Sequence, residues 1–149
     1  MHILVHDLQE KVKTYQDAIL TSGEYLLEKN YITPEYITAC IDREKDYPTG
    51  LLINSGIGIA IPHGNSQLVK SDSISLVRSS KGVIFGQMAD ASLKVTCQLI
   101  FNLALATSDQ HLSILRRLVT LFQDESFVSK CQQFNCQQTE ELITQQLNI

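Results

Sequence analysis

Several features that mark large functional classes are absent from this 149-residue sequence. No apolar run approaches the roughly 20 residues that span a membrane, so direct membrane insertion is not expected. The first residues lack the basic start, apolar stretch and small-residue cleavage site of a signal peptide, which favours a cytoplasmic protein. The formal net charge is −4, and this acidic balance argues against nucleic acid as a partner.

Common nucleotide-binding and hydrolase motifs are absent as well. Gly56 and Gly58 are not followed by the third glycine that a dinucleotide-binding loop needs. No G-x-x-x-x-G-K-[ST], H-E-x-x-H or G-x-S-x-G sequence occurs. We therefore expect no bound cofactor.

The four cysteines are irregularly spaced, and in a cytosolic protein they should stay reduced. Cys97 lies in an apolar run and is predicted to be a core residue. Cys131 and Cys136 form a C-x4-C pair, but none of the four histidines lies near that pair in sequence. We therefore expect no metal site.

What the sequence does contain is the composition of one globular domain. Hydrophobic residues make up 44% of the chain and charged residues 19%, which is too apolar for a disordered segment. A chain of this length can bury a sizeable core, and no linker or repeat divides it. We therefore predict a single domain over residues 1–149.

Hydrophobic periodicity predicts two helices in the first 50 residues. Residues 11–30 carry apolar side chains at helical spacing, and Asn30 is expected to end that helix. Thr33-Pro34-Glu35 has the capping hydroxyl, first-turn proline and acid typical of a helix start. The second helix should continue to about Lys45, before Pro48 and Gly50 break the pattern.

Apolar segments of strand length follow at residues 51–54, 57–61, 73–78 and 94–105. The last segment is apolar almost throughout, as in a central strand that is covered on both faces. Together with the helices on either side in sequence, these segments predict an α/β domain with a mixed central β-sheet flanked by helices on both faces.

Three helices are predicted in the last 40 residues. Asp109 is expected to cap a helix over residues 110–123, a short helix should cover 125–133, and Thr139 should open the last one. The buried stripe of the first of these helices is predicted to consist of Leu112, Leu115, Leu118, Val119 and Phe122.

The strongest indication of chemistry is the segment Ile57–Gly64, which reads IGIAIPHG. Pro62 cannot donate to a sheet ladder and should end the strand, and Gly64 allows backbone or ligand to come close. His63 is thus placed at a strand end, where open α/β sheets form their sites. Neutral imidazole has a nucleophilic lone pair near pH 7, which suits phosphoryl carriage. A structural histidine that caps a turn is the alternative, and the spacing alone leaves both open.

Three segments together resemble one family. Arg43-Glu44, Tyr47-Pro48-Thr49-Gly50 and Gly58–His63 are similar to the fructose/mannitol-type enzyme IIA of the bacterial sugar phosphotransferase system (PTS). The segment from His111 onward is similar too, so the resemblance covers nearly the whole chain. The form Tyr-Pro-Thr-Gly-Leu-Leu most resembles the galactitol-specific branch.

This resemblance implies a phosphotransferase with an α/β fold and a phosphohistidine intermediate. His63 would accept a phosphoryl group from phospho-HPr, which fits the absence of a nucleotide site. It would then donate the group to a cysteine of an enzyme IIB, and a membrane enzyme IIC would be an indirect partner. The resemblance favours Nε2 of His63 as the atom that is phosphorylated. The sugar, galactitol or a related polyol, is selected by the membrane component.

Arg43 and His111 match positions that the family keeps around its active histidine. An arginine offers a planar fork of donors to phosphoryl oxygens. His111 is predicted in the first turn of its helix, where helix geometry favours anions. The alternatives are a solvated Arg43 paired with a nearby acid and a surface His111. His2 and His6 match nothing in the family and are expected at the surface.

Three other functions stay open at this point. A regulatory IIA-like protein would use the phosphorylation state of His63 as a signal. A non-enzymatic binding module would only recognise an anion there. A hydrolase with a phosphohistidine intermediate would release phosphate rapidly.

Overall fold

The computed structural model describes residues 1–148, apart from the side chains of Ser108 and Gln110. Its strands are β1 (His2–Asp7), β2 (Gly50–Leu52), β3 (Gly58–Ala60), β4 (Ser73–Gly86) and β5 (Lys94–Ala104). Its helices are α1 (Tyr15–Glu28), α2 (Pro34–Asp46), α3 (Ser108–Phe122), α4 (Glu125–Gln133) and α5 (Cys136–Gln146), and a short 3-10 turn covers Ser66–Leu68. None of the helices within residues 1–148 combines the length and hydropathy of a membrane span.

The five strands form one mixed sheet in the order β1-β4-β5-β3-β2. β1 pairs parallel with β4 and β3 pairs parallel with β5, whereas β4–β5 and β2–β3 are antiparallel. Helices α1 and α2 pack on one face of the sheet, and α3, α4 and α5 pack on the other. The predicted α/β architecture is therefore confirmed.

The central position of β5 explains its composition. Its side chains alternate between the two faces, so that Leu99, Phe101 and Leu103 join one core and Cys97 and Ile100 join the other. A strand covered in this way needs apolar residues at almost every position. The predictions of a central strand and of a buried Cys97 are confirmed.

Two strand predictions were incomplete. No strand was predicted at residues 2–7, where β1 buries Ile3 and Val5 and pairs with a strand some 70 positions later in the sequence. β4 continues to Gly86 instead of ending at residue 78, because an irregularity between Arg78 and Val83 carries the polar residues out of the ladder. Both features depend on long-range pairing, which local patterns do not record.

Helix starts also differ from the predictions. α1 begins at Tyr15, where the Thr14 hydroxyl accepts the Asp17 N–H at 3.2 Å. α5 begins at Cys136, because Asn135 and Gln138 form a reciprocal capping box three residues before the predicted start at Thr139.

The start of α2 lies where the sequence indicated, but Thr33 makes no side-chain capping hydrogen bond there. The start of α3 differs: the helix begins at Ser108, so Asp109 lies inside its first turn instead of capping it.

The buried stripe of α3 was partly wrong. The structure buries Leu118 and Phe122 as predicted, together with Ile114 and Leu121. Leu112 and Val119 are instead 47% and 38% exposed. The helix is rotated relative to the predicted stripe, and this rotation leaves an apolar strip on the protein surface.

Candidate functional site

His63 lies at one end of the sheet, between its two helical layers. It follows β3 and Pro62, and it forms an isolated parallel bridge with Leu103 near the end of β5. The Leu103 N–H donates to the Pro62 carbonyl at 2.9 Å, which fixes the chain just before the histidine. The two parallel strands end together here, as the site rule for open α/β sheets requires.

The structure brings the three predicted site residues together. Arg43, from the last turn of α2, donates its Nε–H to His63 Nε2 at 3.1 Å. His111, from the first turn of α3, meets the His63 ring edge-on with ring centroids 4.5 Å apart. The backbone N–H of His111 is already used in a hydrogen bond to the Thr107 carbonyl, at 3.0 Å. The part of His111 that faces His63 is therefore its imidazole ring.

The contacts of the His63 ring define its tautomer. Nε2 accepts a hydrogen bond from Arg43, which has no lone pair to offer in return, so Nε2 carries no proton. Nδ1 lies 3.0 Å from the Ile61 carbonyl oxygen and therefore donates to it. The lone pair of the ring thus lies on Nε2, on the side of Arg43.

Electrostatics keeps this ring neutral. The pKa of His63 is lowered to about 4, mainly by burial and to a smaller extent by His111 and Arg43, against the opposing effect of the hydrogen bond to Ile61. Burial and Arg43 lower the pKa of His111 as well. At neutral pH both imidazoles are therefore uncharged, and the guanidinium of Arg43 supplies the positive charge of the site.

An open cavity of about 390 Å³ gives access to these groups. Its walls are formed by Arg43, His63, Gly64, Ser66, His111, Leu112 and Leu115. A nucleophilic nitrogen, a guanidinium and a second imidazole thus face one solvent-accessible space. This arrangement can accept a tetrahedral anion such as a phosphoryl group and bind its oxygens.

Three buried residues support the site and were given no role from the sequence. The Tyr36 hydroxyl donates to the Leu103 carbonyl at 2.7 Å and accepts the Gly64 N–H at 3.3 Å. The Glu44 carboxylate accepts both the N–H and the hydroxyl of Thr49. Glu44 and Thr49 belong to the segments that carried the family resemblance, whereas Tyr36 resembled any core residue of α2.

The other histidines lie elsewhere in the fold. His2 is exposed, as predicted, and stacks on Tyr31 with a centroid separation of 4.2 Å. The surface prediction for His6 was wrong: His6 is half-buried against Tyr25, at 3.6 Å between centroids, and burial lowers its pKa.

The two cysteines of the C-x4-C pair differ in burial. Cys131 is buried, and Cys136 lies beside Asp7 with 3.7 Å between Sγ and Oδ2. Within residues 1–148, no three His, Cys, Asp or Glu side chains form a group that could hold a metal ion.

Two buried groups should give opposite pH dependences of stability. The folded-state pKa of His63 is about 4, below its ordinary 6.5, so the unfolded chain is protonated first as the pH falls. Burial raises the pKa of Glu44 from 4.5 to about 7, so the folded chain holds a proton longer as the pH rises. His63 should therefore lower the free energy of unfolding as the pH falls from 6.5 to 4, and Glu44 should lower it as the pH rises from 4.5 to 7.

Urea unfolding of wild type, His63→Gln and Glu44→Gln between pH 4 and 8 measures the two contributions separately. Relative to His63→Gln, wild type should lose stability as the pH falls through this range. Relative to Glu44→Gln, wild type should lose stability as the pH rises. Difference curves that run in the same direction would contradict the assignment.

The fold is that of a phosphotransferase component. The chain belongs to the family "Phosphoenolpyruvate-dependent sugar phosphotransferase system, EIIA 2", whose sequence profile matches residues 4–147. This finding confirms the family that the sequence motifs indicated.

Curated relatives include mannitol- and galactitol-specific proteins. The chain is 32% identical over 126 residues to the mannitol-specific EIICBA component of Escherichia coli K12. These 126 residues cover 83% of this chain but 18% of that protein. It is 31% identical to the mannitol-specific enzyme IIA component of Enterococcus faecalis, over 79% of this chain and 78% of the relative. It is 33% identical to the galactitol-specific EIIA component of Escherichia coli O6:H1, over 71% and 69%. The chain thus spans about a fifth of the larger EIICBA relatives.

Solved structures show the same fold. The complex of enzyme IIA-Mtl with phosphorylated enzyme IIB-Mtl from Escherichia coli matches at 25% identity and a TM-score of 0.70, over 99% of this chain and 94% of that one. IIA mannitol from Escherichia coli matches at 27% and 0.70, over 95% of both chains. Nitrogen regulatory protein IIA-Ntr from Neisseria meningitidis matches at 25% and 0.71, over 96% and 93%.

Proposed function

We propose that this chain is a phosphoryl carrier of a polyol phosphotransferase system. It accepts a phosphoryl group from phospho-HPr on Nε2 of His63 and donates it to a cysteine of a cognate enzyme IIB. The observation that carries this proposal is the ring geometry. A neutral imidazole presents its lone pair to an open cavity beside a guanidinium, while its other nitrogen is held by the Ile61 carbonyl.

In the first transfer, the Nε2 lone pair forms the bond to phosphorus. The bond from phosphorus to the donor atom breaks in line, and its electron pair stays with the donor. Nε2 is occupied by the Arg43 N–H before transfer, so Arg43 must turn from the nitrogen to the phosphoryl oxygens. Its side chain is exposed, and its guanidinium carbon lies 5.3 Å from the centroid of the Tyr47 ring, which is exposed as well. Neither group is fixed in the core, so the guanidinium can turn.

Phosphorylation makes the ring cationic, because Nδ1 keeps its proton. The hydrogen bond from Nδ1 to the Ile61 carbonyl stabilises that charge and holds the ring in place. In the second transfer, the cysteine thiolate of enzyme IIB forms a bond to phosphorus, and the electron pair of the breaking bond returns to Nε2. Arg43 can then bind the lone pair again.

The surface around the site fits protein partners. Leu112 lines the cavity and is 47% exposed, and Val119 extends the same apolar strip along α3. Exposed apolar side chains next to a reactive group favour docking of a protein over binding of a small sugar. The net charge of −4 favours a basic phosphoryl donor.

Four further points complete the proposal. The substrate system is one for a polyol, since relatives of mannitol and of galactitol specificity match at nearly equal identity. A membrane enzyme IIC is an indirect partner, the protein acts in the cytoplasm, and residues 1–149 act as one functional unit.

A regulatory role is the second candidate, supported by the likeness to a nitrogen regulatory protein IIA-Ntr.

A relay assay separates these functions. The protein is incubated with enzyme I, HPr and phosphoenolpyruvate, and a set of purified enzyme IIB proteins is then added. We expect stable phosphorylation of this chain, followed by transfer to a polyol-specific IIB. Phosphorylation without transfer to any IIB would support the regulatory role, rapid release of phosphate would support a hydrolase, and no phosphorylation would support an anion-binding module.

A further inference from the structure

The last turn of α2 contacts both nitrogens of the His63 ring, one directly and one through intermediates. Arg43 donates to Nε2. The next residue, Glu44, is 4% exposed, and its carboxylate oxygens accept the Thr49 N–H at 2.6 Å and the Thr49 hydroxyl at 2.8 Å. The Thr49 oxygen in turn accepts the Ile61 N–H at 3.2 Å, and the Ile61 carbonyl accepts from His63 Nδ1 at 3.0 Å.

We propose that Glu44 and Thr49 are positioning residues that set the tautomer of His63 by fixing Ile61. This inference rests on the proposed phosphoryl-carrier function. Ile61 lies beyond the last residue of β3, and its N–H is held by the side chain of Thr49. That anchor orients the residue whose carbonyl accepts the hydrogen bond from His63 Nδ1–H.

The Glu44 carboxylate gives the Thr49 hydroxyl its direction. Above the Glu44 pKa of about 7 the carboxylate is ionised and can only accept, so the hydroxyl donates to Glu44 and presents a lone pair to the Ile61 N–H. No Lys or Arg nitrogen within residues 1–148 forms an ion pair with Glu44. A buried carboxylate without an ion pair stabilises a fold poorly, and its two oxygens are both occupied by Thr49.

Thr49→Val and Thr49→Ser form the matched pair that tests the inference. Valine keeps the shape and removes the hydroxyl, whereas serine keeps the hydroxyl. The ¹⁵N shifts of ring-labelled His63 report the tautomer at pH 8, in the wild-type and Arg43→Ala backgrounds. In the Arg43→Ala background the contact with Ile61 is the remaining hydrogen bond to the ring.

We expect Thr49→Val to raise the population of the Nε2–H tautomer roughly fivefold or more in the Arg43→Ala background, as for one lost hydrogen bond. In the wild-type background it should slow phosphoryl acceptance by a similar factor. Thr49→Ser should restore both values. Glu44→Gln should act in the same direction, and its combination with Thr49→Val should add little, because both act through one hydrogen bond. Thr38→Val, on the exposed side of α2, is the control and should change neither.

Unchanged His63 shifts in folded Thr49→Val would overturn the inference. So would a changed tautomer with a wild-type transfer rate, since the tautomer would then not matter for transfer. The NMR measurement involves no phosphoryl group. A wild-type protein that accepts no phosphoryl group would therefore refute the proposed function separately from the assignment of Glu44 and Thr49.

Discussion

His63→Gln should fold like wild type and accept no phosphoryl group. The structure gives the reason, since Arg43 donates to the lone pair of His63 Nε2, and a glutamine amide nitrogen is not a nucleophile. The His111 ring lies next to the His63 ring. The hydrogen bond to the Ile61 carbonyl, however, is made by His63, so the loss of His63 is not expected to be replaced by His111. The expected loss is complete within the sensitivity of the assay.

Intact-mass spectrometry after incubation with phospho-HPr measures this loss, and a melting curve tests the fold. His2→Gln is the matched control, because His2 is exposed on β1 and far from the site in the sheet order. The control should gain the mass of one phosphoryl group. A phosphorylated His63→Gln protein would show that another residue is the acceptor.

Arg43→Ala should slow transfer by roughly ten- to a hundredfold. A hydrogen bond to a charged group contributes about 1.5–3 kcal/mol, and about 1.4 kcal/mol corresponds to a factor of ten. The direction of the rate change distinguishes two roles of Arg43, binding of the phosphoryl oxygens and blocking of the nucleophile. Before transfer Arg43 covers the Nε2 lone pair, so a purely blocking role would make Arg43→Ala faster than wild type.

Two further variants complete this test. Arg43→Lys should recover part of the rate, because an ammonium keeps the charge and loses the planar fork. His111→Ala should cost less than Arg43→Ala, since the neutral His111 ring contributes no charge to the phosphoryl oxygens. All variants should melt within a few degrees of wild type. Quenched-flow transfer from phospho-HPr measures the rates, and wild-type rates in both Ala variants would remove Arg43 and His111 from the site.

Much of the site could be predicted from the sequence because its residues lie in short, unusual segments. Pro62-His63-Gly64 at the end of an apolar strand indicated a histidine at a site-forming strand end, and the segments around Arg43 and His111 resembled the family. The roles of Glu44 and Thr49 could not be predicted, although both lie in those segments. Their importance depends on which backbone group the Thr49 oxygen meets, and that is Ile61, 12 positions later.

The fold shows the same division. Periodicity predicted all five helices, and the bounds of α2, α3 and α4 to within about two residues, because an amphipathic helix carries its signal within a few turns. It missed β1, whose six residues become a strand through parallel pairing with β4. It also misplaced Leu112 and Val119, since whether an apolar residue of α3 faces the core depends on the rotation of the helix against the sheet.

The sequence by itself determined the family and the α/β class, because each depends on local composition or on a contiguous motif. Only the tertiary structure decided how His63 is held. Its Nδ1 contacts the carbonyl of Ile61, its Nε2 contacts a helix from one face of the sheet, and its ring meets His111 from the other face. Tautomer and pKa follow from these contacts, because they depend on burial and on donors that are distant in sequence and adjacent in space.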